Sequence, residues 1–222
     1  MKPDVCIGFL GGTGIEARGL ALRFAAAGAC VVLGSRSHER AAQAAETCNA
    51  ILGQPLIHGA GNGEMLSASE IIFLTVPFAQ AVDAVQGSLS QLASNHIIVD
   101  VTVPMVFRRG HAEYLEQERV SNSEIIARHL PDGVPLVAAF KTIPAFILAQ
   151  LATDLSCDVL VSSDVVSAKQ QVMAAASLIP SLRPLDGGPL RAARTLERMA
   201  VLAAEMNRYY GKKEARYRVV GI

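Results

Sequence analysis

The sequence predicts an α/β fold: a Rossmann-like, doubly wound parallel sheet followed by a small, mainly helical C-terminal annex. Three observations predict it. Short apolar runs alternate with longer segments of helical period, a strand–helix–strand rhythm that calls for parallel strands and right-handed crossovers. A glycine-rich turn follows the first apolar run directly. The chain is 51% hydrophobic without a single Trp, and its apolar content is mostly Ala, Leu, Val and Ile, as helices packed on a buried sheet require.

The elements follow in order. "VCIGFL" reads as the first strand and Ile15 to Ala27 as the first helix; "CVVLG" is followed by a helix over His38 to Leu52. "IIFLTV" then leads to a helix over Phe78 to Leu92, and "HIIVDVTV" to a helix over Asn122 to Leu130. "VPLVAAF" closes the series as a fifth strand. After Phe140 the rhythm changes. Pro144 lies near the start of a helical stretch, where proline is tolerated. "AFILAQLA", "DVLVSS", a helix over Val166 to Ile179, "LRPLDGGPL" and a long last helix complete an annex of three helices and short extended pieces. The expected division is therefore 1–142 for the main domain and 143–222 for a substrate and dimerisation domain. The 222 residues suffice for a main domain plus such an annex, since domains commonly span about 100 to 200 residues.

The turn "GGTGIEA" carries the first chemistry. In a dinucleotide-binding βα turn the first glycine permits the tight turn and the second lets the backbone approach a pyrophosphate. The third position must be small so that helix and strand pack closely. Here these are Gly12, Gly14 and Ala17, following a strand and opening a helix. "GAGNG" at Gly59 precedes a strand instead of following one, and reads as a loop. About twenty residues further on, an acid would bind the ribose 2′-hydroxyl of NAD; "LGSRSHER" has Ser35 and Arg36 there, with Arg40 one turn into the next helix. A hydroxyl and two guanidinium groups suit a 2′-phosphate, so NADP is favoured. Two strands end in "TVP", Thr75–Val76–Pro77 and Thr102–Val103–Pro104, at the carboxyl edge where ribose and nicotinamide would lie.

Other classes are disfavoured. Twenty Lys and Arg balance twenty Asp and Glu, giving no global reason to expect nucleic acid or a membrane surface. The residues from Arg183 onward hold nine basic and four acidic side chains, either a solvated face or a surface meeting an anionic substrate. The four cysteines are widely spaced, without a CxxC pair or zinc-like cluster, and are expected to be free thiols in a reducing cytoplasm, with no metal. Lys2 is followed by Asp4, and the first apolar run breaks too soon for a secretory signal. "VPLVAAFKTIPAFILAQLA" contains Lys141 and two prolines, so it does not read as a membrane span.

Taken in order, "GGTG", "GSR" with a basic residue four positions after the Arg, "LTVP", "FKTIPA" and "LRPLDGGPL" resemble the NADPH-dependent reductases of coenzyme F420, a 5-deazaflavin. The motifs run from residue 11 to residue 190, and "TIPA" and "RPLDGGPL" are their specific part. The resemblance implies that Thr13, Gly14, Ile15 and Glu16 hold the pyrophosphate and that Ser35, Arg36 and Arg40 hold the 2′-phosphate. It implies that Phe78, Val103 and Ala145 border the nicotinamide, and that the deazaflavin lies against "KTIPA" and the annex of a homodimer. The chain departs from the family pattern at Glu16, Ala17, Lys141 and the polar tail "NRYYGKKEARYRVV".

The expected reaction is hydride transfer between NADPH and a deazaflavin, in which proximity of two stacked rings supplies much of the acceleration and no acid–base triad is needed. Lys141 is the one catalytic candidate, as donor or proton source beside the acceptor; its structural alternative is to snorkel to the surface. The five histidines are scattered and read as loop or surface residues, with His129 the most interesting because its helix leads toward Lys141. Two other readings stay open: an NADPH reductase of another small acceptor (an imine, a pterin or a keto acid), and a non-catalytic NADP sensor.

Overall fold

The computed structural model describes residues 5–116 and 119–222; Lys2 and Asp4 lie outside them. The first half alternates β1 (Cys6–Leu10), α1 (Ile15–Ala26), β2 (Cys30–Ser35), α2 (His38–Leu52), β3 (Ile57–Gly61), α3 (Asn62–Ala68) and β4 (Ile71–Leu74). A short 3-10 turn at Phe78–Gln80 leads into α4 (Ala81–Gln86), then β5 (Ile97–Asp100), a hairpin of β6 (Met105–Arg108) and β7 (His111–Tyr114), α5 (Asn122–Ala127) and β8 (Leu136–Ala138). The remainder comprises α6 (Ala145–Leu148), β9 (Cys157–Val161), α7 (Val166–Ala176), β10 (Leu182–Asp186) and α8 (Ala193–Tyr209). Six parallel strands form the main sheet in the order β3-β2-β1-β4-β5-β8, the doubly wound arrangement with its switch between β1 and β4.

Period-two alternation divides the apolar residues between two faces. Ile7, Phe9, Val31, Leu33, Phe73, Val99 and Val137 belong to the buried layer on one side, which includes residues of α1 and α7; Leu10, Val32, Ile72, Leu74, Ile98 and Leu136 face the opposite layer. On the first face the Phe9 and Phe73 rings stack at 5.2 Å, and Phe140 meets Phe73 edge-on at 5.3 Å. That core does not stop at residue 142: Ile143, Ile147, Leu155, Val159, Val172 and Leu182 belong to the same buried cluster. Arg23 of α1 ties the junction. Its guanidinium donates to the carbonyls of Ile147 at 3.0 Å, Leu148 at 2.9 Å and Thr153 at 3.0 Å, supplying donors to the otherwise open C-terminal end of α6.

The structure corrects several expectations. The segment at Gly59, read as a loop, is the edge strand β3. It was hidden because "IHGAG" lacks β-branched alternation. The glycine lets α2 lie against the strand, since a Cβ there would come within 2.4 Å of the Ala41 backbone. The β6–β7 hairpin and α3 were not foreseen either. Cys6 and Cys30, expected as free thiols, face one another in register on β1 and β2 and form a disulfide; Cys48 and Cys157 are free and buried. His96, expected at the surface, is 5% exposed, with Nδ1 accepting from Ala93 N–H and Nε2 3.0 Å from the Leu66 carbonyl. In the annex, β9 and β10 pair in parallel as a two-stranded sheet. No helix among the described residues is long and apolar enough to cross a membrane.

Candidate active site

At the carboxyl edge of the sheet, the turn between β1 and α1 reverses the chain in four residues. Gly11 takes the left-handed conformation, with φ 87°, while Gly12 packs down on β2: its N–H donates to the Gly34 carbonyl at 2.8 Å, and a Cβ would sit 2.9 Å from Leu33 Cα. The tight-turn role read onto Gly12 thus falls on its neighbour. Gly12 instead allows close approach of turn and strand. Gly14 is the N-cap of α1 and offers no side-chain acceptor, whereas the first turns of α2 and α5 are capped by Ser37 and Ser121. An uncapped helix leaves its first N–H groups available, and their partial positive charge favours an anion. Ala17, fully buried, allows α1 to settle on the sheet.

Two cavities, of about 670 and 820 Å³, open on either side of this turn. The larger is lined by Thr13, Ser35, Arg36 and Arg40, with Ser37 and Asn62 beside them. The smaller is lined by Ile15, Glu16, Phe78, Val103, Lys141 and Ala145. Gly14, Thr75, Val76 and Pro77 line both, so the two form one elongated cleft over the switch point. Every residue named from the sequence for the cofactor borders it except Gly12, Ala17 and Pro104. Three residues the sequence reading passed over, Ala200, Ala203 and Ala204 of α8, roof the smaller cavity, with Asn207 beside them.

Lys141 does not snorkel. Its side chain is 1% exposed, and its ammonium donates to Asp100 Oδ2 at 2.8 Å and to the Thr102 carbonyl at 2.6 Å, with Glu197 Oε1 at 3.7 Å. Asp100 also accepts from Thr102 N–H, Thr102 Oγ1 and Ser123 Oγ at 2.9, 2.6 and 2.6 Å. Glu197 accepts from the Tyr114 hydroxyl at 2.7 Å and from the Asn122 and Ser123 N–H groups at 3.2 and 3.3 Å. Burial raises the Glu197 carboxyl above its ordinary range, and nearby Lys141 opposes the rise. Burial, reinforced by Glu197, raises the Tyr114 hydroxyl as well. This cluster joins the end of β5, α5, the β6–β7 hairpin and the roof helix α8. Asp100 had one signal in the sequence, an acid closing the apolar run "IIVD"; Glu197 had another, an acid within the buried stripe from Ala193 to Val201.

His129 lies away from the cleft, with Nδ1 3.3 Å from Gln86 Nε2. Glu16 stands in the first turn of α1 on the wall of the smaller cavity, and desolvation pushes its carboxyl up to about 8 although the residue keeps partial solvent access. No group of three or more His, Cys, Asp or Glu able to hold a metal occurs among the described residues.

A family model described as NADP oxidoreductase coenzyme F420-dependent matches residues 6–104. The F420-dependent NADP reductase of Methanothermobacter marburgensis is 35% identical over 206 residues, covering 90% of this chain and 92% of its own length. That of Methanocaldococcus jannaschii is 28% identical, covering 97% of this chain and 98% of its own. Among solved structures, a putative F420-dependent NADP-reductase from Arthrobacter superposes with TM-score 0.79 at 22% identity, covering 97% of this chain and 99% of that one. A Plasmodium falciparum pyrroline carboxylate reductase with NADP bound reaches 0.52 at 13% identity, covering 84% of this chain and 59% of that one, a likeness of fold. The identity extends along almost the whole of both chains, from the glycine turn through the annex that builds the roof, and on that ground the chain belongs to the F420-dependent NADP reductase family.

Proposed function

We propose that this protein transfers hydride between NADPH and coenzyme F420 across the cleft at the switch point. The observation that carries the reading is the division of that cleft: phosphate-binding groups line one part, an alanine roof covers the other, and they meet at Gly14 and Thr75–Val76–Pro77. The uncapped start of α1 fits a pyrophosphate, and Ser35, Arg36 and Arg40 fit a 2′-phosphate. The nicotinamide, which gives or takes hydride at its ring carbon, then lies toward Phe78, Val103 and Ala145. A deazaflavin enters between it and the Ala200–Ala203–Ala204 face. Small side chains leave a flat surface on which two rings are held in contact, and held proximity is the main catalytic device.

Lys141 acts here as a positioning residue. Its ammonium is committed to Asp100 and the Thr102 carbonyl, fixing the turn that carries Val103 while Glu197 brings α8 over the cavity. Residues 1–142 supply the dinucleotide side and 143–222 the acceptor side. The exposed stripe Leu202, Met206 and Tyr209 on α8 suits a homodimer contact. The deciding experiment incubates the protein with NADPH and a panel of acceptors: a deazaflavin, an imine, a pterin and a keto acid. One-to-one NADPH oxidation and deazaflavin reduction is expected. Turnover of another acceptor with the deazaflavin inert, or no turnover at all, overturns the reading.

A further inference from the structure

In this chain the turn between β1 and α1 places an acid, Glu16, where a dinucleotide would bring two negative charges. It is the only carboxyl lining the smaller cavity among the described residues, and no described residue forms a hydrogen bond or ion pair with it. The elements that face it provide no compensating cation. The Thr75–Phe78 turn, the Val101–Met105 segment, the α8 roof and Ala215 contribute no ionisable side chain to the cavity. The 141–145 segment contributes Lys141, whose ammonium is already paired with Asp100 and, more distantly, Glu197. On its own helix, Arg18 lies near Cys48 of α2, and Arg36 and Arg40 line the other cavity. A carboxylate here would face the pyrophosphate with only the α1 amide groups, and no unpaired cationic side chain of the cavity, to offset the like charges.

We propose that NADPH binding is proton-linked at Glu16: the dinucleotide enters against the neutral carboxyl, so a protein in which that carboxyl is ionised takes one proton from the buffer on binding. This rests on the placement of the dinucleotide under Proposed function. The surroundings already favour the neutral form, since desolvation alone holds the group at about 8 before any ligand arrives. The pyrophosphate adds a like charge and moves it further in the same direction. Well below pH 8 the carboxyl is protonated in both states and the linkage is silent. Above it, each binding event requires a proton, and NADPH affinity falls toward tenfold per pH unit. The bound neutral acid has a hydroxyl to donate to the ligand, which a carboxylate lacks.

Calorimetric titration of NADPH at pH 9, in two buffers of different ionisation enthalpy, measures the proton directly. About 0.9 proton per NADPH is expected for the wild type, with none for Glu16→Gln, and the Glu16→Gln dissociation constant is expected to stay level from pH 7.5 to 9.5. Equal uptake by both proteins, no uptake by the wild type, or parallel pH profiles overturns the proposal. Arg36→Glu distinguishes a failure of the underlying placement: wild-type NADPH affinity in that variant overturns the site, whatever Glu16 does.

Discussion

Replacing Lys141 by Met tests whether the buried cluster is a clasp. The substitution keeps the length of the side chain and removes the ammonium from a site where its own side chain is 1% exposed and that of Asp100 is 0% exposed. Breaking one side of such a pair costs about 3–5 kcal/mol, because a charge is left buried without its partner. Asp100 keeps three donors from Thr102 and Ser123, which places the expected loss near the lower end, about 3 kcal/mol. For a chain of this size, about 2–4 °C of melting temperature accompanies each kcal/mol, so thermal denaturation at pH 7 should show a drop of roughly 6–12 °C. The double variant Lys141→Met/Asp100→Asn removes both charges and should regain most of that loss. A single variant within about 1 kcal/mol of wild type, or a double variant no more stable than the single, refutes the reasoning. If hydride transfer measured with saturating NADPH falls by orders of magnitude at a temperature where Lys141→Met remains folded, Lys141 acts on the acceptor itself and not through Asp100.

Three other perturbations probe separate parts of the cleft. Arg36→Glu should weaken NADPH by a factor of about 100, from the loss of a charge-assisted contact worth about 1.5–3 kcal/mol plus the repulsion it introduces; NADH should be affected far less, and equal losses in fluorescence titrations would count against the 2′-phosphate assignment. Ala200→Phe should fill the roof and raise the acceptor's KM on the order of tenfold, with NADPH affinity unchanged; an unchanged KM would move the acceptor elsewhere. Glu16→Gln should change stability with a definite sign. Because the folded carboxyl titrates at about 8, well above its ordinary 4.5, the wild type loses stability as pH rises between those values and levels off above 8. The variant should therefore match the wild type in thermal melts near pH 4.5 and exceed it at pH 8.5; a difference independent of pH would show that the carboxyl is well solvated.

The helices and strands legible in the sequence were those with strong periodic signals. α2 runs from His38 to Leu52 as its cap and apolar spacing indicate, and β4 and β5 are continuous apolar runs buried on both faces. What escaped was decided by contacts distant in sequence. β3 is a strand because its main chain pairs with β2 and because Gly59 admits α2, neither of which its own residues announce. That Gly14, Ser35, Arg36 and Arg40 line one part of the cleft was legible because each has a local motif. The roof was not: alanines at 200, 203 and 204 look like ordinary helix formers until α8 is laid across the sheet. Lys141 was found as a residue, but its partners Asp100 and Glu197 lie 41 and 56 positions away and join it only through folding. The Cys6–Cys30 bond arises in the same way, from a strand register that places two thinly spread residues side by side.

The buried cluster that includes both Ile7 and Leu182 packs the main sheet and the annex against each other. On that face of the sheet the two sides of the cleft share one hydrophobic interior, so melting of the annex exposes apolar side chains of the main sheet. Heating should therefore produce one calorimetric transition, and dinucleotide and acceptor binding should disappear at the same temperature.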